Sequence, residues 1–356
     1  MMKKAKKHNI AIATAILAAV LYGVNAPFAK LLLEKVPALL LAALLYLGAG
    51  IGMAAVNLLK TALNHKKIEA SISRKELMPV IGMILLDIAA PILLMIGLSM
   101  TNASNVSLLN NFEIVATSVI ALAIYKEAVG RRMWVAIFLI TLASFVLSID
   151  DIRHFSFSIG SFFVVGACIC WGFENNLTRV LSEKDPMQVV VIKGFGSGIG
   201  ALIIALFSNE YIAGFPYILL ALLLGFVAYG LSIFFYVTAQ RNLGAARTSI
   251  YYSAAPFIGV IASWIILREE LHLPFFIGLA IMIAGTYFAV SEKHKHTHIH
   301  DEISHDHRHS HEDGHHTHAH SDMPEGEHSH EHTHKKINHK HIHTPDLHHR
   351  HDHKDS

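Results

Sequence analysis

The chain of 356 residues is 53% hydrophobic and 16% charged, with a formal net charge of +2 at pH 7. That near-neutrality is a cancellation: residues 1–290 hold 21 Lys and Arg against 14 Asp and Glu, whereas residues 291–356 hold 8 against 13, with 23 of the 27 histidines. Such a chain is neither a water-soluble globule nor, with Cys168 and Cys170 both inside one apolar run, a disulfide-stapled fold.

In chain order, ten apolar runs approach or exceed the roughly 20 residues a helix needs to cross a hydrocarbon layer. The first five are Asn9 to Leu33, Pro37 to Leu59, Leu77 to Met100, Asn102 to Tyr125 and Met133 to Ile149. The second five are Phe157 to Leu181, Met187 to Phe207, Phe215 to Ala239, Gly244 to Leu267 and Leu273 to Val290. Lipid offers the backbone no hydrogen-bond partner, and no run alternates like a barrel strand, so helices alone satisfy the peptide groups. The expected fold is an all-α integral membrane protein of ten transmembrane helices. The start, MMKKAKK, is basic like the n-region of a secretory signal, but the run behind it is too long and nine more follow.

Basic residues cluster before the first run and after the second (Lys60, Lys66, Lys67, Arg74, Lys75), fourth (Lys126, Arg131, Arg132), sixth (Lys184) and eighth (Arg241). The other connections carry little beyond Lys35, Arg153 and Arg268, which assigns both termini to the cytoplasm.

An ionisable side chain inside a span costs about 3 kcal/mol or more unless paired or wetted, so each marks a candidate site. Lys30 and Arg179 lie near membrane faces and read equally as snorkelling anchors. Asp87, Glu113, Glu174 and Lys193 lie deepest. At 100° per residue, Ser107, Asn110, Asn111, Glu113, Thr117 and Ser118 share an arc of roughly 160° on the fourth run. Interhelical hydrogen bonds of about 1 kcal/mol each explain its amides without any function, but not its carboxylate. On the sixth run Trp171, Glu174, Asn175 and Thr178 share one face, aligned with Tyr22, Asn25, Ala26 and Ala29 of the first; Tyr252 completes the candidate set. Pro27, Pro91 and Pro256 should free the carbonyls of Gly23, Asp87 and Tyr252, either to line a wet site or simply to kink the helix. The glycines of GFGSGIG follow no strand, which rules out a dinucleotide loop. Gly194 with Gly198, and Gly196 with Gly200, suit close helix contact instead.

The chain repeats itself. LYGVNAPFAKLLLEKVP (Leu21 to Pro37) aligns with CWGFENNLTRVLSEKDP (Cys170 to Pro186), pairing Gly23 with Gly172, Lys30 with Arg179, Glu34 with Glu183 and Pro37 with Pro186. The stretch ending at Glu127 likewise aligns with the one ending at Glu269. Five spans is an odd number, so the second copy enters the membrane inverted, an arrangement of secondary transporters whose site lies near the midplane. Duplication in a membrane enzyme or scaffold is the bland alternative. The domains are then residues 1–149, 150–290 and the tail, 291–356.

The two five-span halves, the aromatic-Gly pairs Tyr22-Gly23 and Trp171-Gly172, and the spacing of Pro256 to Glu269 resemble the EamA family of the drug/metabolite transporter superfamily. The likeness covers about residues 9 to 290. It implies a bacterial inner-membrane carrier, often an exporter of amino acids and other small metabolites, with spans one to four and six to nine around a cavity. The chain departs from the pattern at Ile114, where the second copy has Pro256, and carries Glu113 beside it. Glu127 and Glu269 match the family's recurrent acid at the ends of spans four and nine, where capping or anchoring is the expected role.

In the tail His-x-His dominates without apolar periodicity, so disorder is expected. His294, His296, His298, His300, His305, His307, His309, His311, His315, His316, His318 and His320 read as overlapping ligands for zinc, nickel or cobalt, a buffer rather than a fixed site. Histidine also titrates near pH 6.5, so mild acid makes the tail strongly positive.

Two readings lead. In one, a metabolite exporter uses Glu113 and Asp87 to exchange protons while Glu174, Asn175 and Tyr252 contact substrate; in the other, a divalent transition metal is the cargo and the tail an ion buffer or delivery arm. A non-transporting metal-responsive receptor is a third. The expected partners are a small-molecule substrate, membrane lipid and divalent ions on the tail, with no required cofactor and no nucleic acid; a homodimer is left open. No nucleophile with a base partner and no nucleotide-binding loop stands in the sequence, which points away from an enzyme or primary pump.

Overall fold

The computed structural model describes residues 2–63, 71–125, 129–151, 156–178, 181, 184–208, 213–243 and 245–291. Of the tail it describes the backbone of 294–300, 303–309, 328–334 and 337–343. The first half folds as α1 (Met2–Gly23), α2 (Asn25–Leu33), α3 (Ala38–Ala62), α4 (Leu77–Met100), α5 (Ala103–Leu109), α6 (Phe112–Tyr125) and α7 (Arg131–Leu147). The second half folds as α8 (Ile159–Leu177), α9 (Pro186–Phe207), α10 (Phe215–Gly225), a π-helical segment Phe226–Leu231, α11 (Ser232–Leu243), α12 (Ala245–Tyr252), α13 (Ala255–Leu267) and α14 (Leu273–Val290).

Eight helical stretches among the described residues are long and apolar enough to cross a membrane: Asn9–Leu33, Ala38–Ala62, Arg74–Met100, Ala103–Ile124, Pro186–Phe207, Phe215–Ala239, Ile250–Leu267 and Leu273–Val290. They make this a multi-pass membrane protein. The fifth and sixth runs are helical too, but α7 has only 17 residues, and α8 interrupts its apolar run with Glu174, Asn175 and Asn176. Large apolar side chains turned outward, such as Leu85, Phe138, Phe207 and Ile265, would each cost about 1.5–3 kcal/mol in water; against lipid tails they cost little.

Local chemistry fixes several helix ends. Ser73 and Glu76 form a capping box ahead of α4, with Glu76 accepting from the Ser73 N–H at 2.7 Å. Asp185 accepts from the Met187 N–H at 2.9 Å, and Pro186 occupies the first turn of α9, where no donor is needed. Three runs are broken midway: the first at Val24, the fourth at Asn110–Asn111, and the ninth at Ser253–Ala254. Two breaks fall beside Pro27 and Pro256, as expected. Pro91 instead sits inside an uninterrupted α4.

The helices pack most extensively as α3 with α9, α4 with α8, α7 with α14, α1 with α11, and α6 with α8. Glycines allow the first of these pairs. A methyl on Gly194 would lie 2.4 Å from the Gly50 nitrogen, and one on Gly198 would lie 2.7 Å from the Leu47 nitrogen. Gly196 and Gly200 meet Ile84 and Ile88 of α4 on the other side. The GFGSGIG stretch is thus a contact surface on two faces of α9.

Strands are few. β1 (Ile149–Asp151) pairs antiparallel with β2 (Ser156–Phe157) in the link between halves. In the tail four extended segments are described, β3 (His294–His300) paired with β6 (Ile337–His343), and β4 (Ile303–His309) paired with β5 (His328–His334). His-x-His alternation has the period of a strand, which the backbone follows. A two-stranded ladder is marginal in water, so neither forms a domain core.

Candidate functional site

Three of the deep ionisable residues meet. Asp87 at the middle of α4 and Glu174 near the end of α8 are buried, Lys193 in α9 is partly buried, and the Lys193 ammonium lies 3.0 Å from Asp87 Oδ2 and 3.3 Å from Glu174 Oε1. The Asp87 Oδ2 contact is an ion pair without hydrogen-bond alignment. Its other oxygen accepts from the Tyr46 hydroxyl at 3.0 Å, while Glu174 accepts from Thr178 Oγ1 at 3.1 Å. Two carboxylates on one ammonium leave a formal net charge of −1, suited to hold a proton or a substrate cation in low dielectric.

Next to this trio, Asn175 of α8 donates to Glu113 Oε1 at 2.7 Å and lies 3.3 Å from Thr117 Oγ1, joining α8 to the polar face of α6. The neighbouring Asn176 donates to the Thr117 and Gly172 carbonyls. On the opposite side Asn25 donates to the Tyr229 hydroxyl at 3.2 Å. A tyrosine chain connects the two sides: ring centroids are 5.3 Å apart for Tyr46 and Tyr229, 6.1 Å for Tyr22 and Tyr229, and 6.0 Å for Tyr22 and Tyr252. Trp171 is buried in the same core.

Asn110 lies apart from the trio, in the break of the fourth run, where a cavity lined also by Tyr22, Asn25, Ser107 and Pro256 opens. Asn111 is buried beside it, with no acceptor for its Nδ2 among the described residues. The Lys30 ammonium lies 2.6 Å from the Leu98 carbonyl and 2.8 Å from that of Thr101, where a cation complements the α4 C-terminus. Glu269 caps α5, accepting from the N–H groups of Ala103 and Ser104 at 2.6 and 2.9 Å and from Ser104 Oγ at 2.5 Å. Arg179, Glu127, His311, His315, His316, His318 and His320 lie outside the described residues. Of His294, His296, His298, His300, His305, His307 and His309 only the backbone is described, on β3 and β4.

Sequence reasoning passed over Tyr46 and Tyr229, since a tyrosine in an apolar run reads as a ring that fills space. A signal existed for Tyr229, which follows Asp87 at the same separation as Glu269 follows Glu127.

Set beside known proteins, the chain matches the EamA-like transporter family twice, over residues 9–149 and 158–291. It belongs to that family. Relatives in it include an "uncharacterized transporter" of Methanothermobacter thermautotrophicus, 26% identical over 76% of this chain and 83% of its own length. Another is the "uncharacterized transporter YyaM" of Bacillus subtilis, 21% identical over 55% of this chain and 67% of its own. A crystal structure sharing 13% identity superimposes with a TM-score of 0.57, covering 79% of this chain and 96% of that one, a likeness of fold. Membership of the family makes this chain a membrane transporter of a small molecule.

Proposed function

We propose that the protein is a secondary exporter of amino-group-bearing metabolites such as amino acids, built of ten spans as two inverted five-helix repeats in a bacterial inner membrane, with both termini cytoplasmic. The packing supports the inversion: α3 with α9 and α7 with α14 join like to like, while α4 with α8 is mirrored by α1 with α11. The breaks of the fourth and ninth runs also fall at aligned places. In this reading Asp87, Lys193 and Glu174 bind the substrate amine or a proton, Glu113 with Asn175 relays protons, and Trp171 and Tyr252 shape the wall.

The observation that carries the reading is the buried trio, three charges at membrane depth contributed by both halves. It is tested in proteoliposomes with amino acid and amine counterflow. Glu113→Gln should lower flux at least about fivefold, the smallest coupling commonly seen between linked sites, and flatten its pH profile; unchanged flux across pH would refute the role. The tail is assigned as an accessory zinc, nickel or cobalt buffer on its composition. The metal-cargo alternative finds no support in the membrane part, where no group of three His, Cys, Asp or Glu side chains stands together among the described residues.

A further inference from the structure

The cavity among the broken first, fourth and ninth runs is separate from the ionic trio and has its own chemistry. It is a partly open space of about 10 Å³ between Tyr22, Gly23, Asn25, Ser107, Asn110 and Ala255, room for roughly one water-sized sphere. Asn25 is 4% exposed, and its side-chain nitrogen is committed to Tyr229. Its oxygen Oδ1 is buried without a donor among the described residues, and so is Oδ1 of Asn110. Two buried unsatisfied oxygens lining one small cavity would each cost about 1–3 kcal/mol if left so.

Further oxygens stand in the wall beside them, together with the Tyr22 hydroxyl, which can donate or accept. Pro27 has no N–H to give the Gly23 carbonyl four residues earlier. Ser107 spends its proton on the Ala103 carbonyl at 2.8 Å, leaving only lone pairs. The Gly23 carbonyl and Ser107 Oγ both stand close to Gly259, where an added methyl would lie 2.9 Å from one and 2.6 Å from the other.

From the two unpartnered amide oxygens, with Ser107 Oγ in the same wall, we infer that the cavity binds a monovalent inorganic cation the size of Na⁺. Hard cations take oxygen ligands, and carbonyls freed where transmembrane helices break are a known setting for coupling ions. The inference goes beyond the carrier reading by adding a second ligand at a second place, and a binding measurement tests it without any transport assay.

Full-length protein in detergent is melted at pH 7.5 in NaCl, KCl, methylammonium chloride and choline chloride at equal ionic strength. The expected result is a saturable rise in melting temperature with NaCl that choline does not reproduce. Asn25→Leu and Asn110→Leu should abolish the Na⁺-dependent part. Asn110→Asp, which keeps the shape and adds a charge, should tighten the Na⁺ midpoint about tenfold or more, which keeps the site testable if either leucine variant fails to fold. A wild-type melting temperature that responds alike to all four salts would mean an ordered water only, and a response to methylammonium but not Na⁺ would mean a substrate-amine pocket; either overturns the inference. Na⁺ binding with no flux of any amine would instead refute the carrier reading and leave this site standing.

Discussion

Asn25 with Tyr229, and Glu174 with Lys193 and Asp87, stand at corresponding places in the two halves. Asn25 aligns with Glu174, and Tyr229 with Asp87. Similar helix pairs carry them, the first run against the eighth and α8 against α4, yet one side is held by a single neutral hydrogen bond of 3.2 Å and the other by an ion trio. Helix packing of this kind is set by apolar surface and small residues, and it accepts either chemistry provided each polar group finds a partner locally. The charged cluster is therefore where function is to be sought, and the neutral pair serves as its internal control.

The largest effect should come from breaking the trio on one side only. Lys193→Met leaves Asp87 and Glu174 buried without their cation and should cost about 3–5 kcal/mol, as removal of one partner from a buried ion pair does. Lys193→Met combined with Asp87→Asn and Glu174→Gln should recover most of that loss in thermal melts while remaining inactive in flux. If the single change proves harmless, the trio is hydrated and the contrast between halves disappears. On the neutral side, Tyr229→Phe removes the acceptor of Asn25 and should cost only about 1 kcal/mol.

A packing change tests what both halves share. Gly194→Ala drives a methyl against the Gly50 backbone, which cannot retreat as a side-chain tip could, and should cost about 1–3 kcal/mol by overpacking. Gly166→Ala, whose added methyl would meet only Leu93 at 3.5 Å, should be nearly neutral. Equal melting of the two variants would show that α3 and α9 are not in direct backbone contact.

Much of this fold is legible because a span announces itself by length and apolarity. The third and tenth runs end at Leu77, Met100, Leu273 and Val290 in both sequence and structure. Interruptions are harder to read. Pro27 and Pro256 signal two breaks, but Asn110–Asn111 breaks the fourth run with no proline, and Phe226–Leu231 widens to a π-helix with no polar residue beyond Tyr229. The cluster of Asp87, Glu174 and Lys193 could be suspected because charge in a span is costly, but which carboxylate meets the lysine depends on helix rotation that periodicity leaves free. Tyr46 and Tyr229 carried no cost signal at all, since an aromatic ring is at home in lipid or core.

Glu269 and Lys30 supply the mildest contrast, charges at a helix turn rather than at membrane depth. Glu269 lies on the second half but caps α5 of the first, so Glu269→Ala strips three hydrogen bonds from the Ala103–Ser104 turn and should cost about 0.5–2 kcal/mol, as loss of an N-cap does. Glu269→Gln keeps an acceptor and should lie between that variant and wild type. Lys30→Met removes a cation from the α4 C-terminus and should cost still less, about 0.3–1 kcal/mol. Charge that is partly solvated and bonded to backbone is worth less than charge sealed between helices, so melting should rank Lys193→Met well below Glu269→Ala, and Glu269→Ala below Lys30→Met. A reversed order would place the decisive ionic contacts at the membrane face, and the buried trio would lose its claim to be the centre of the molecule.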